Sequence, residues 1–170
     1  MGKARAIITR RKAIQNIRKI TRTMQLIANA QFQAAFKRAV ASRPYTDQIT
    51  RLLQQLTTAS GEVELPLLQV NQAKRTILFV ITSNRGLCGG YNGNLLRSAV
   101  QHIEDREKAG DTVDLHVAGK KGIAYFKFLG QRMTSTYTQF EHKPQFAQIE
   151  PIAAAMIDAY ERKEINSVYA

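Results

Sequence analysis

One cysteine, four prolines, no tryptophan and, over the first 46 positions, no aspartate or glutamate: each scarcity removes a class of protein. The lone Cys88 rules out an internal disulfide framework and fits a reducing compartment. The longest purely apolar stretches, "ILFVI" (77–81) and "IAAAMI" (152–157), fall far short of the roughly 18 residues that span a bilayer. Nor does the basic N-terminus lead into an apolar signal core, so we expect a soluble chain, kept in the cytosol or on its side of a membrane. The missing tryptophan, with Ala and Gln diluting the apolar positions, argues against a helix lying on a membrane surface. His102, His116 and His142 are scattered, and the acidic residues show no zinc or calcium ligand spacing. No metal site is expected.

What is present is divided unevenly. The chain has 170 residues, is 44% hydrophobic and carries a net charge of +12, which suggests one ordinary core plus an extended appendage. Eleven of the 25 Lys and Arg residues lie between Met1 and Thr46, while all 13 acidic residues lie beyond. Two bodies with different partners are implied, the first seeking negative charge.

That first body has a helical period. Ala13, Ile17, Ile20, Met24, Ile27, Gln31 and Ala34 follow at alternating steps of four and three, a narrow stripe suited to a coiled coil. Ile7 and Ile14 flank it. With no Gly or Pro between Lys3 and Arg43, a continuous helix of about 40 residues is predicted. Ala28, Ala30, Ala34, Ala35 and Ala39 would let a partner come close. Pro44 should kink this rod or start a new helix, because it lacks a backbone donor and crowds the preceding turn. Gly61 and Pro66 then break the pattern.

From Arg75 onward, strand and helix patterns alternate. Strands are predicted at 76–82, 112–119 and 133–140, and one begins in "NSVYA" (166–170). Helices are predicted at 94–110, 120–130 and 146–164, the last broken or started near Pro151. Such alternation favours a mostly parallel sheet wrapped by helices. The predicted fold class is α/β: a long N-terminal coiled-coil helix attached to a mostly parallel, Rossmann-like sheet with flanking helices. Its segments are a helical shaft at 1–60 with a kink or break near Pro44, a linker at 61–75, and an α/β domain at 76–170, cut short.

"SNRGLCGGYNGN" (83–94), after the first strand, invites comparison with reactive loops. A Walker loop needs a closing Lys and a hydroxyl residue; none stands there, and "GKKG" (119–122) lacks the spacing. A dinucleotide fingerprint reads G-x-G-x-x-G, whereas Gly86, Gly89, Gly90 and Gly93 read G-x-x-G-G-x-x-G. A cysteine phosphatase wants Arg six positions after the nucleophile, where this chain has Asn94. We therefore expect Cys88 to be a small, half-buried packing residue and the glycines to serve the backbone, by positive φ or close approach. No catalytic residue, cofactor or small-molecule substrate is expected.

The basic helix "IQNIRKITRTMQLIANAQFQ" (14–33), followed by "ITSNRGLCGGYN" (81–92) at the first strand-to-helix turn, closely resembles the γ subunit family of bacterial F-type ATP synthases, from about Lys3 to the last residue. "GKKG" after the second strand fits the same pattern. The resemblance implies a central rotary shaft, non-catalytic itself, whose helix turns inside a ring of α and β subunits. Its α/β foot would rest on the proton-driven membrane ring beside ε, on the cytoplasmic face of the bacterial inner membrane. It also implies that Arg10, Arg11, Lys12, Arg18, Lys19, Arg22 and Met24 meet the α/β ring, and that Ala13, Ile17, Ile20, Ile27 and Ala34 form the coiled-coil seam. Ser83, Asn84, Arg85, Gly86, Leu87, Cys88, Gly89 and Gly90 form the signature turn, expected to be structural.

Two departures from that family stand out. Asn84 replaces an expected Asp, and the chain stops at "NSVYA" where family members continue to a second long helix. The rival reading is a nucleic-acid-binding protein using the basic helix against phosphate; it explains the charge but neither the stripe nor the turn.

Overall fold

A computed structural model describes residues 2–59, 66–140 and 144–170, with the side chains of residues 2, 3 and 56–59 also outside the description. The chain divides into two units, Met1–Val63 and Glu64–Ala170.

The described part of the first unit is one α-helix, α1 (Gly2–Ala59), 58 residues and therefore about 87 Å long. Its described side chains, residues 4–55, are all exposed, and its good helix formers favour the helix locally. Of the kink or break expected at Pro44, the break is absent: the proline lies inside the helix. Proline there removes a single donor, the one that would reach the carbonyl of Val40. On either side, side-chain hydroxyls bond the backbone as well, Ser42 Oγ donating to the Ala39 carbonyl at 2.9 Å and Thr46 Oγ1 to the Ser42 carbonyl at 3.3 Å. One lost bond in a helix this long does not offset the cooperativity of the rest.

The second unit begins with a turn of 3-10 helix at Pro66–Leu68, inside the stretch expected to be a plain linker. Then come β1 (Arg75–Ile81), α2 (Tyr91–Lys108), β2 (Thr112–Ala118), α3 (Lys120–Phe128), β3 (Ser135–Tyr137), α4 (Phe146–Glu161) and β4 (Ser167–Tyr169). The strands form a four-stranded sheet in the order β3-β2-β1-β4, with every pairing parallel. β1 and β2 match along seven residues from Arg75↔Thr112 to Ile81↔Ala118.

Alternation along these strands sorts the side chains. Leu78 and Val80 of β1, with Leu115 and Val117 of β2, meet Leu96, Ala99 and Ile103 of α2 and Phe126 of α3 in one core. Phe126 and Val117 are fully buried, and burying a ring of that size contributes about 1.5–3 kcal/mol. The other register of the strands carries an aromatic row instead. Phe79, His116 and Tyr137 sit with ring centroids 5.5–6.4 Å apart.

α4 also differs from expectation at its proline. It starts at Phe146 and runs through Pro151 to Glu161. Gln148 Oε1 accepts the Gln145 backbone N–H at 3.0 Å, fixing the start five residues upstream. There the proline costs only the bond to the carbonyl of Ala147, in the first turn.

Candidate functional site

Two regions carry the candidate residues, one on each unit. On α1, at 3.6 residues per turn, Ala13, Ile17, Ile20, Met24, Ile27, Gln31 and Ala34 fall within an arc of roughly 100°. Their larger members stand in solvent: Ile17 is 62% and Ile27 53% exposed. Arg10, Arg11, Lys12, Arg18, Lys19 and Arg22, also exposed, all fall outside that arc, with Arg11, Arg18 and Arg22 within about 40° of one another. The helix thus offers an apolar face and separate basic faces. Met24 lies on the apolar one.

A second apolar row escaped the sequence reading. Phe32, Phe36 and Val40 are exposed, and with Ile7 and Ile14, which stand about 60–80° from the edge of the first stripe rather than beside it, they occupy an arc of about 80° that Arg11, Arg18 and Arg22 share. The Phe32 and Phe36 rings stack at 5.8 Å. Their spacing of four was the available signal; it was overlooked because the seven-position stripe dominated.

On the α/β unit, the turn Ser83–Gly90 is wired to its surroundings by side chains. Ser83 Oγ donates to the Arg85 carbonyl at 2.5 Å. Asn92 Oδ1 accepts the Ser83 N–H at 3.1 Å, while its Nδ2 donates to Ser83 Oγ at 2.8 Å and to Cys88 Sγ at 3.0 Å. Two residues adopt positive φ, Leu87 at 65° and Gly89 at 59°. Gly86 and Gly90 do not, so only part of the glycine content serves that purpose. The expected half-burial of Cys88 is corrected: the thiol is exposed. Left-handed residues stand on either side of it, and the sulfur accepts a hydrogen bond from Asn92 Nδ2.

The same turn meets the start of α3. Asn84 Oδ1 accepts the Lys120 N–H at 3.0 Å, the Ser83 carbonyl accepts the Lys121 N–H at 3.1 Å, and Thr82 Oγ1 accepts the Gly122 N–H at 2.8 Å. The first amides of a helix are those that would cradle a phosphate. Here the turn itself engages them. Gly119 adopts φ 98°, and a Cβ there would sit 2.1 Å from the Thr82 carbonyl oxygen, so "GKKG" is a close-packing device where β1 and β2 end. Thr82, Asn92 and Gly119 are thus the residues that build the turn, and pattern reading had singled out none of them for that role.

Asn84 also accounts for its departure from aspartate. Its Nδ2 donates to the Phe140 carbonyl at 3.1 Å while its Oδ1 serves Lys120, which an ionised carboxylate cannot do because it only accepts. Elsewhere, burial holds His116 below the ordinary imidazole value of 6.5, partly offset by the carboxylate of Asp114. Its Nδ1 lies 3.1 Å from the Tyr137 hydroxyl. His142 lies outside the described residues. Among the described residues no group of three or more His, Cys, Asp or Glu side chains is placed to hold a metal, and no helix is long and apolar enough to cross a membrane.

The class defined by these features is a long-helix α/β protein: a basic helix with exposed apolar residues, continuous in sequence with a small parallel α/β domain. A family model described as ATP synthase matches residues 3–170, and the chain belongs to that family. It is 42% identical over 161 residues to the ATP synthase gamma chain of Rhodopirellula baltica, covering 94% of this chain and 54% of that one. To the ATP synthase gamma chain of Frankia casuarinae it is 39% identical over 160 residues, 94% and 53% of the two chains. To that of Gemmatimonas aurantiaca it is 34% identical over 170 residues, 99% and 59%. The chain spans a little over half the length of these relatives.

Proposed function

We propose that this chain acts as the central-stalk γ subunit of an F-type ATP synthase, transmitting torque between a proton-driven membrane ring and the catalytic ring of α and β subunits. The observation that carries the reading is the division of α1 into an exposed apolar seam and separate basic faces, in a chain related over almost its whole length to gamma chains. A shaft has to be stiff, which suits an unbroken helix, and its seam takes a second long helix in a coiled coil. Arg10, Arg11, Lys12, Arg18, Lys19 and Arg22 would face acidic surfaces of the ring, where diffuse attraction tolerates rotation better than a fixed salt bridge. Met24, on the seam side, would pack in the coiled coil as well as face the ring. The turn Ser83–Gly90 organises the foot, beside ε and the membrane ring.

In this role the chain has no catalytic site, cofactor or small-molecule substrate of its own. It works as a peripheral part of the complex on the cytoplasmic face of the bacterial inner membrane. The test is native mass spectrometry of the assembly captured from source cells with an antibody against "SNRGLCGGYNGN". A single copy of the chain among several larger nucleotide-binding subunits is the expected result. Recovery of the chain alone, or with nucleic acid that high salt removes, overturns the reading and returns the basic helix to phosphate binding.

A further inference from the structure

The residues just before β1 are fastened more firmly than a connector requires. Residues 66–70 are exposed, Val70 by 85%. Asn71, next along, is partly buried and spans the unit: its Nδ2 donates to the Ile165 carbonyl at 2.7 Å and to the Tyr160 carbonyl at 3.3 Å. Its Oδ1 accepts the Ala73 N–H at 3.1 Å. Tyr160 bonds in return, its hydroxyl donating to the Gln69 carbonyl at 2.7 Å. Ile165 is 1% exposed, and the next residue, Asn166, donates its N–H to the Arg75 carbonyl at 2.8 Å. The segment is therefore fixed to the α4–β4 turn before the sheet begins.

We infer that Asn71 and Tyr160 form the mechanical anchor that carries torque between the segment entering at Pro66 and the α/β unit, an inference that rests on the rotor reading above. Without these bonds, residues 66–74, exposed except for the partly buried Asn71 and Ala73, form a flexible tether, and force arriving along them loads the first rung of β1 alone. Bonds in a strand pulled from one end break one after another. With the anchor, the same force is shared at once by the end of α4, the start of β4 and β1, so the unit follows the chain without lag. Asn71 and Tyr160 are positioning residues in this scheme.

The experiment uses the intact assembly, immobilised through its larger subunits, with a bead on a cysteine introduced by Arg132→Cys, a site exposed on the α/β unit, in a Cys88→Ser background that removes the exposed native thiol. The readout is the width of the bead's angular distribution while rotation is paused, beside the rate of ATP hydrolysis. Asn71→Ala and Tyr160→Phe are expected to widen it, about twofold for Asn71→Ala if residues 66–74 become a flexible tether, with hydrolysis unchanged. The neighbouring control Val70→Ser leaves it as in the parent. Should Asn71→Ala not yield folded protein, Tyr160→Phe, which deletes one hydroxyl, decides the matter. Parental width in Tyr160→Phe and in any folded Asn71→Ala overturns the anchor while leaving the rotor reading intact. An assembly that lacks the chain, or a bead that never rotates in the parent, overturns both.

Discussion

Thr82 Oγ1 accepts the Gly122 backbone N–H at 2.8 Å, and a Cβ added to Gly122 would lie 2.8 Å from that same threonine side chain. The contact therefore demands both a hydroxyl just after β1 and the absence of a side chain on α3. Thr82 is buried and donates onward to the Ala118 carbonyl at 2.9 Å, so the contact joins β1, β2 and α3 in a single knot beneath the signature turn.

Gly122→Ala tests that knot. The methyl would also meet Val117 Cγ1 at 2.9 Å, with core on both sides and no route outward. Overpacking of this kind costs about 1–3 kcal/mol. Thermal unfolding should show a midpoint lower by about 4 °C or more; an unchanged midpoint would mean that α3 slides to admit the methyl.

Asn84→Asp separates the two bonds that Asn84 makes. The carboxylate still accepts from Lys120, but it has no proton for Phe140 and sets an anion against that carbonyl, a loss of about 1–2 kcal/mol. In hydrogen exchange, the amides at 138–140 should exchange faster while those of 120–122 keep their protection. Equal loosening of both stretches would contradict the assignment of donor and acceptor.

His116 makes stability depend on pH. Burial lowers its pKa in the folded state, so the unfolded chain binds the proton more readily. Its contribution is complete above the ordinary value near 6.5 and is lost as pH falls through the lower folded value. Denaturation midpoints should decline with acid over that window. His116→Gln should flatten the decline; a slope identical to the parent's would assign it to other groups.

Pro44→Ala should tighten α1. The replacement restores an N–H facing the Val40 carbonyl and removes ring crowding, together worth about 3 kcal/mol in a helix interior. Amide protection across residues 40–48 should rise while the α/β unit's unfolding is unchanged. If protection there stays the same, Pro44 is not the weak point of the rod.

Much of this was legible in short stretches of residues. The run "TILFVIT" placed β1 within one residue at each end, because a β-branched apolar string flanked by polar residues has few other uses. The helix predicted from residue 94 starts at Tyr91 instead, since Gly90 offers no side-chain cap to mark the boundary. β3 shrank from the predicted 133–140 to Ser135–Tyr137; its neighbour β2 ends at Ala118, opposite Tyr137, so no strand partner is left for residues 138–140. Pro44 was expected to kink the rod or start a new helix and Pro151 to break or start one, because the local rule weighs one lost bond; both lie inside continuous helices, which weigh many.

By itself the sequence determined the features that depend on near neighbours: the basic helix with its seven-position seam, the alternation of strand and helix, and the turn that identifies the family. The helix and the alternation follow from periodicity and charge, which act over a few residues, while the turn is known by its resemblance to a family pattern. Only the tertiary structure decided which distant groups satisfy one another. Asn84 reaches Phe140, Thr82 reaches Gly122 and Asn71 reaches Ile165, across separations of 56, 40 and 94 positions. The reason is physical: a hydrogen bond is sensed over about 3 Å, and no spacing along the chain reports which residues folding will bring that close.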